Sequence, residues 1–339
     1  AFKAQRKALK KGKLPAGFAG QEALQKLRAA AVVVEQAASR LVTPADTETV
    51  AKHMFVAVGS AVQSVEIASQ SVVDSFSVDS EVSTVAASRD GAFVGVGNGN
   101  TLSVLRASNG KLSPYTSFSF AAGEQVVAVS NLPVSSLMLV ACASGHWALL
   151  DVSSRAVCFK GVLPSMDELK EITDACAHVD GQLLLFASSS GKLGVLDLMS
   201  DHSELRAILD ASEGLEAAAA AVVRPCQRVV SSFSGRHVAV LHANQQVNLW
   251  NLETLQVQQR FEQASAVCFD DCGLLMAVAT TGDCIDFYSL PQKKSQQVSQ
   301  LVSHDGAVDG AASELAFAPL STAFFAVNKG EVHQFAVGA

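Results

Sequence analysis

The five residues Val247-Asn248-Leu249-Trp250-Asn251 decide the fold, because their pattern recurs along the chain. Each copy is a short alternating strand that ends on a bulky or apolar fourth residue, usually followed by a small, polar or acidic one. The other six copies are Val65–Ser69, Leu102–Arg106, Trp147–Asp151, Leu193–Asp197, Ile285–Ser289 and Val332–Ala336. The fourth residues lie 37, 45, 46, 54, 38 and 47 positions apart. A period in the forties with several strands in each unit predicts a β-propeller of the WD-repeat type.

A glycine turn repeats in the same register as these strands. Gly91, Gly181, Gly235 and Gly273 each close a turn that lies 15 or 16 positions before the last residue of a copy. Glycine supplies the positive φ that tight turns need, and the interval holds two strands with a short turn between them. We therefore predict an all-β fold of seven blades, near residues 45–76, 81–120, 125–160, 171–209, 227–262, 265–302 and 313–339.

The last repeat ends only three residues before the end of the sequence, so its blade lacks an outer strand. An N-terminal strand that supplies it would close the ring and remove two exposed sheet edges. The segment 27–34, with the run Ala29–Val34, is the predicted closing strand, although a helix is the competing interpretation of its alanines. The predicted domains are thus a basic arm at 1–26 and a propeller at 27–339. The sequence begins at Ala1, which suggests a piece of a longer protein.

The charge is distributed unevenly. Residues 1–28 hold eight basic residues and one acid, whereas the rest holds 17 basic and 31 acidic residues, so the two parts carry +7 and −14. The basic residues Lys3, Arg6, Lys7, Lys10, Lys11 and Lys13 are candidate partner-binding residues. The arm is interpreted either as a weak contact to RNA or an acidic protein surface, or as a solvated linker, which is the favoured interpretation. The acidic body is a poor sequence-independent binder of nucleic acid.

Apolar runs in this sequence are short. The longest have seven residues, far fewer than the roughly 20 that cross a bilayer, so no membrane association is expected, and no export signal is visible. The seven scattered cysteines are expected to be reduced thiols. Cys268 and Cys272 resemble half a metal site, but no second pair has suitable spacing, so we predict no metal and no cofactor.

Two motifs that resemble catalytic or nucleotide-binding sites receive structural interpretations instead. Gly95–Asn100 is glycine-rich, but a strand follows it where a phosphate site needs a helix, so Asn98-Gly99 is interpreted as a hairpin turn. His146, His178, His237 and His304 lack a nucleophile elbow and any triad order. We predict no catalysis by this chain and no catalytic residues.

The polar network that often stabilises WD repeats is mostly eroded in this sequence. Trp250 fills one tryptophan position, Asn244 one aspartate position, and His304 precedes the seventh blade. We therefore expect apolar packing to hold the blades together. The predicted binding surfaces are the long segments between blades, 161–170 and 210–226, because they need not serve packing.

The order of arm, closing strand and blades resembles the C-terminal region of the pre-mRNA-processing factor nineteen family, the U-box ubiquitin ligases of the spliceosome. The arm segments Arg6–Pro15 and Gln21–Leu27 are similar to that family's basic segment and its continuation. His146–Asp151, Val247–Asn251 and Ser303–Gly306 resemble its third blade, its fifth blade and its approach to the seventh.

The resemblance implies a nuclear scaffold domain that recruits substrates or splicing partners to a ubiquitin ligase in pre-mRNA splicing. Ligase activity would require a U-box that is absent here, and a homo-oligomer would require the family's upstream coiled coil. The alternative is a WD-repeat scaffold of another assembly, in ribosome biogenesis or trafficking.

Overall fold

A computed structural model describes the chain from residue 53 to residue 336, apart from several short stretches. Those stretches are 67–68, 70, 89–90, 133–135, 180, 200–204, 211–223, 271–272, 282–283, 291–295, 303–313, 318–322 and 329–330. The predicted closing strand at 27–34 and the basic arm lie outside the described residues.

Antiparallel sheets follow one another along the described chain. The first sheet holds β1 (His53–Val58), β2 (Ala61–Glu66) and β3 (Ser71–Ser77). The second holds β4 (Val82–Ala87), β5 (Phe93–Asn98), β6 (Thr101–Ser108) and β7 (Lys111–Ser119). The third holds β8 (Val126–Asn131), β9 (Leu137–Cys142), β10 (His146–Asp151) and β11 (Ala156–Val162). A short helix, α1 (Met166–Leu169), leads to the fourth sheet.

The remaining sheets repeat this arrangement. The fourth holds β12 (Ile172–Ala177), β13 (Leu183–Ser188), β14 (Lys192–Asp197) and β15 (Ala207–Asp210). The fifth holds β16 (Cys226–Ser231), β17 (His237–His242), β18 (Val247–Asn251) and β19 (Gln256–Phe261). The sixth holds β20 (Ala264–Phe269), β21 (Leu275–Thr280), β22 (Cys284–Ser289) and β23 (Gln296–Val302). The seventh holds β24 (Glu314–Phe317), β25 (Ala323–Asn328) and β26 (Glu331–Ala336). The predicted all-β class and the predicted repeat are therefore confirmed.

Each sheet packs on the next one in chain order, mainly through its first strand. Side chains of one first strand also bind the backbone of the next. The N–H of Ala177 donates to Ser130 Oγ at 3.3 Å, and the N–H of Val229 donates to Asp174 Oδ2 at 2.8 Å. These bonds fix the register between neighbouring sheets as well as within them.

The repeat in the first sheet is shifted from its predicted position. A β-bulge precedes the fourth residue of the repeat in the second, third, fifth and sixth sheets, for example between Val104 and Leu105. In the first sheet the bulge lies between Ser64 and Val65. The structural copy is therefore Val62–Glu66, and the assignment of Val65–Ser69 was wrong by three residues. Val62 is completely buried, as a core-facing residue of this strand should be.

The predicted hairpin turn in the second sheet is shifted by one residue. Asn98 pairs with Thr101, so the two-residue loop is Gly99-Asn100 and not Asn98-Gly99. Gly99 takes φ +53°, the positive value that a type II′ turn requires at its first central position. Gly97 is needed for packing, because a Cβ there would lie 2.6 Å from Thr84 Cγ2 and 2.7 Å from Val126 Cγ1. The glycine-rich stretch is thus a strand and a hairpin, as predicted.

The largest hydrophobic cluster lies between the third and fourth sheets. Trp147 and Phe186 are its largest fully buried members, and Leu169 of α1 is also completely buried in it. Leu163, just after β11, is 1% exposed. The segment 161–170 therefore does serve packing, and the reason given for predicting it as a binding surface was wrong.

Candidate functional site

The four glycine turns have one geometry, and their positions define one face of the molecule. The residue directly after the first strand donates its N–H to the carbonyl five positions later, and the glycine N–H donates to the carbonyl of that same residue. Ser232, Gly235 and His237 make these bonds at 2.9 and 3.0 Å, and equivalent bonds occur in the second, fourth and sixth sheets. The glycines take φ values between +65° and +71°. The predicted turns are confirmed.

The acidic or amide residue that closes several repeats caps the turn after the third strand. Asp151 is 1% exposed and accepts bonds from the backbone N–H of Ser153 and from the hydroxyls of Ser136, Ser153 and Ser154, at 2.6–3.0 Å. Asn251 Oδ1 accepts the N–H of Glu253 at 2.8 Å. This cap is the physical reason why several repeats end in an acidic or amide residue.

Antiparallel order places these two kinds of turn on the same side of every sheet. We call this side the turn face, and we call the opposite side, which carries the hairpins between second and third strands and the connections between sheets, the linker face. The exposed side chains on the linker face include the acids Asp79, Glu81, Asp167, Glu168 and Glu262.

A cavity of about 310 Å³ opens at the turn face, where the first strands of the fourth to seventh sheets end. Its walls are mainly apolar and include three phenylalanines. The lining residues are Ala177, Val179, Val230, Ser231, Ser232, Phe233, Cys268, Phe269, Asp270, Leu315 and Phe317. Phe233, Phe269 and Phe317 remain partly exposed. The cavity is therefore accessible from solvent.

Asp270 is one of the lining residues, and its carboxylate caps the turn that follows β20. It is 4% exposed, and its Oδ1 accepts the N–H groups of Leu274 and Leu275 at 2.8 and 2.9 Å. The Ser231 hydroxyl is buried and has no hydrogen-bond partner among the described residues. The accessible cavity is thus lined by aromatic and aliphatic residues together with Ser231, Ser232 and Asp270.

A second polar cluster lies at the linker end of the fifth sheet. His242 is 2% exposed; its Nδ1 lies 2.9 Å from the Arg224 carbonyl, and its Nε2 lies 2.8 Å from the Asn248 amide nitrogen. A neutral ring that donates from Nδ1 and accepts at Nε2 satisfies both contacts. Burial lowers the pKa of His242, which favours this neutral form. The exposed Asn244 takes no part in this cluster, so the buried histidine replaces the usual polar network here.

The described cysteines are free thiols, and several are deeply buried. Burial raises the pKa of Cys142 and of Cys226 to about 12, and it also raises the pKa of Cys176. Such thiols are poor nucleophiles and poor metal ligands at neutral pH, because the thiolate is the reactive form. Cys272, the partner proposed for Cys268, lies outside the described residues. No group of three or more potential metal ligands occurs within the described part of the chain.

The three catalytic candidates within the described residues, His146, His178 and His237, belong to the third, fourth and fifth sheets. His146 Nδ1 contacts both Glu124 at 3.1 Å and the Ser144 hydroxyl at 2.9 Å. A catalytic triad needs the serine and the acid on opposite ring nitrogens, so these three residues do not form one. His178 Nε2 instead contacts the Gly235 carbonyl at 2.6 Å and joins the fourth and fifth sheets. His304 lies outside the described residues.

The predicted partner-binding residues Lys3, Arg6, Lys7, Lys10, Lys11 and Lys13 lie outside the described part of the chain, and so does most of 210–226.

The cavity at the turn face was not predicted from the sequence. A partial signal was present: aligning the repeats on the glycine turns puts Phe269 at the last position of a first strand, and Phe317 ends the first strand of the seventh sheet. Repeat alignment alone does not show that four sheets bring these ends together.

Comparison with known proteins identifies the fold. No protein-family model and no curated protein sequence matches this chain. Among solved structures, a chain of the mitotic checkpoint complex matches with 14% identity and a TM-score of 0.65, covering 84% of this chain and 87% of that one. The β-propeller domain of Myceliophteria thermophila Cps50 (Swd1) matches with 14% identity and a TM-score of 0.64, covering 86% and 99%. No helix in the described residues is long and apolar enough to cross a bilayer. At this identity the likeness establishes the fold alone, and the chain has the fold of a WD-repeat β-propeller domain.

Proposed function

We propose that this chain is a protein-binding scaffold domain. The observation that carries the proposal is the series of packed antiparallel sheets, joined by short capped turns, that presents an accessible cavity at the turn face. Rigid strands with short turns position a surface well for recognising partners. No catalytic step is assigned to this chain.

The more specific proposal is that the domain recruits substrates or splicing partners to a spliceosome-associated ubiquitin ligase in the nucleus. Its support is the resemblance of the arm Arg6–Pro15 and of the strands His146–Asp151 and Val247–Asn251 to the pre-mRNA-processing factor nineteen family. In this proposal seven blades form a closed ring, with segment 27–34 as the closing strand.

The test is affinity purification of the tagged protein from nuclear extract, followed by mass spectrometry. We expect splicing proteins to be enriched over a control propeller of unrelated sequence. Recovery of ribosome-assembly or trafficking proteins instead would favour the alternative scaffold function. Recovery of no protein partner at all would contradict the scaffold function itself.

Ring closure has a separate test. Removal of residues 1–26 should leave the thermal unfolding temperature almost unchanged, whereas removal of residues 1–34 should lower it clearly, because a closing strand covers two sheet edges. Equal unfolding temperatures for the two truncated proteins would contradict closure by segment 27–34.

A further inference from the structure

The turn-face cavity has the chemistry of a site for an uncharged, apolar group. Its lining includes the partly exposed rings of Phe233, Phe269 and Phe317. The carboxylate of Asp270 caps its own turn, the Ser232 hydroxyl accepts a backbone N–H at 3.1 Å, and the Ser231 hydroxyl is buried. Burial of a charged group without a partner is costly. The cavity is therefore suited to an aromatic or aliphatic side chain.

The size and the rings of the cavity favour a single aromatic side chain. A volume of about 310 Å³ is at the small end of ligand sites. Aromatic rings pair favourably edge-to-face or offset, with centroids about 4.5–7 Å apart. Phe317 already makes such a pair with Phe287, at 6.1 Å and 70°. A further ring among the three phenylalanines would extend this arrangement.

The N-terminal arm contains a segment with this chemistry. Residues 14–20 read Leu-Pro-Ala-Gly-Phe-Ala-Gly and carry no charge, although the arm around them is basic. Phe18 lies between Gly17 and Ala19, so its ring can enter a cavity without a large neighbour beside it. One proline and two glycines in seven residues disfavour a helix. The segment lies outside the described residues, and the arm's other phenylalanine, Phe2, precedes a lysine.

The described chain begins on the same face as the cavity. The N–H of Val82 donates to the Gly59 carbonyl, in the hairpin between β1 and β2, at 2.9 Å. The N–H of Val126 donates in the same way to the Gly99 carbonyl, at 2.7 Å, so both hairpins lie on the linker face. His53, at the opposite end of β1, is therefore at the turn face.

The length of the preceding chain allows Phe18 to reach the cavity. Phe18 and His53 are 35 positions apart, which spans up to about 115 Å when extended. A compact chain of 339 residues has a radius of gyration of only about 20 Å. The reach persists if segment 27–34 closes the seventh sheet, because nine residues span up to about 30 Å and four strands cover about 14 Å.

The charges of the two parts of the chain are complementary. Residues 1–28 carry +7 and the remaining residues carry −14. Opposite charges attract the arm to the body, although salt screens this attraction beyond about 8 Å at physiological ionic strength. Charge therefore brings the arm close to the body, and apolar contact selects the place where it docks.

We propose that segment 14–20 docks in the turn-face cavity, with Phe18 among Phe233, Phe269 and Phe317. A partner protein that uses this cavity must then displace the arm. Ordering the segment costs conformational entropy that offsets most of the contact, so docking adds little to the unfolding temperature. The inference goes beyond the proposed scaffold function, since it holds whichever proteins the domain recruits.

The test places one 4-fluorophenylalanine at position 18 or at position 2 of the full 339-residue chain. Fluorine NMR in H₂O and in D₂O measures the solvent isotope shift, which reports the exposure of the labelled ring. We expect a small isotope shift at position 18, because the ring is buried in the cavity, and the full shift of an exposed ring at position 2. Equal, full isotope shifts at the two positions would overturn the proposal.

Matched variants of the protein labelled at position 18 locate the contact. Phe269→Leu keeps an apolar side chain but removes a ring, so it should move the fluorine signal and increase its solvent isotope shift. Phe233→Leu is a second variant with the same expected result. Leu255→Ala changes a residue of the same face that is 36% exposed and does not line the cavity, and it should leave the signal unchanged.

Thermal unfolding shows which of these variants are folded. A signal at position 18 that is unaffected by a folded cavity variant would contradict docking at this site. Affinity purification separates the proposal from the scaffold function. If the ring at position 18 is buried but no partner protein is recovered, the scaffold function fails and the docking stands. If the ring is exposed and partners are recovered, the docking fails and the scaffold function stands.

Discussion

The interface between the third and fourth sheets is held by apolar contacts, whereas the linker end of the fifth sheet is held by buried hydrogen bonds. The first buries hydrocarbon around Trp147 and Phe186. The second buries the imidazole of His242, which is joined to Asn248 and to the Arg224 carbonyl. Hydrocarbon packing depends on shape and is insensitive to pH, whereas the polar cluster requires one protonation state and matched partners. Sheets that repeat the same fold are therefore stabilised by different kinds of interaction.

The largest expected effect is loss of the tryptophan at the apolar interface. Trp147→Ala should lower the free energy of unfolding by about 3–5 kcal/mol, because it removes a large buried side chain and leaves a cavity. Chemical denaturation at pH 7.5 measures the change. The control is Val162→Ala in the same sheet, a residue that is 55% exposed, which should change stability by less than about 0.5 kcal/mol. Equal effects of the two substitutions would show that this interface is not the main source of stability.

The next effect is removal of the buried imidazole. His242→Ala removes the contact to the Arg224 carbonyl and leaves the buried Asn248 amide nitrogen without its His242 partner, and one buried unsatisfied group costs about 1–3 kcal/mol. The expected loss at pH 7.5 is therefore about 1–3 kcal/mol or more. Asn244→Ala, an exposed position in the following turn, is the matched control. A His242→Ala protein as stable as this control would show that the cluster contributes nothing to the fold.

The coupling free energy between His242 and Asn248 should be smaller than the effect of removing the imidazole. In a double-mutant cycle, His242→Ala and Asn248→Ala together should cost less than the sum of the single changes, by about 0.5–1.5 kcal/mol, the net value of one hydrogen bond. His242→Ala combined with Trp147→Ala should instead be additive, since the fourth sheet lies between the two sites. Additivity in both cycles would mean that the 2.8 Å contact has no energetic role.

Features that repeat along the chain could be predicted from the sequence. Gly91, Gly181, Gly235 and Gly273 gave the turns correctly, because a positive φ is a local requirement that glycine meets best. The first repeat was misplaced because Val65-Glu66-Ile67 also alternates, and strand periodicity alone allows more than one register. The bulge before Val65 resolves that register, and a bulge depends on pairing that the sequence does not show.

Neither the turn-face cavity nor the His242 cluster could be predicted from the sequence, and the reasons differ. The cavity combines residues from the ends of four sheets, so it depends on the packing between repeats. The His242 cluster was missed because WD-repeat patterns place a histidine before the first strand, whereas His242 ends the second strand. A pattern search finds a residue at an expected position and overlooks the same chemistry supplied from another strand.

The smallest expected effect is on the dependence of stability on pH, and it separates the two regions most directly. Burial lowers the pKa of both His242 and His237 in the folded protein. The unfolded chain, in which histidine titrates near the ordinary value of about 6.5, therefore binds more protons as the pH falls below that value. The contribution of these two imidazoles to the free energy of unfolding should consequently level off above about pH 7 and should decrease as the pH falls from 6.5 to 5.5.

The His242→Gln protein lacks the titrating imidazole at position 242. Its free energy of unfolding should therefore decrease less between pH 6.5 and 5.5 than that of the wild type, and His237 accounts for the remaining decrease. Trp147→Ala should lower stability at every pH and leave the slope unchanged, since no proton is bound or released at the apolar interface. Denaturant unfolding at pH 7.5, 6.5 and 5.5 measures both slopes. If His242→Gln and the wild type have the same slope, then the imidazole is not held neutral by the fold, and the contrast between the two regions would be one of shape alone.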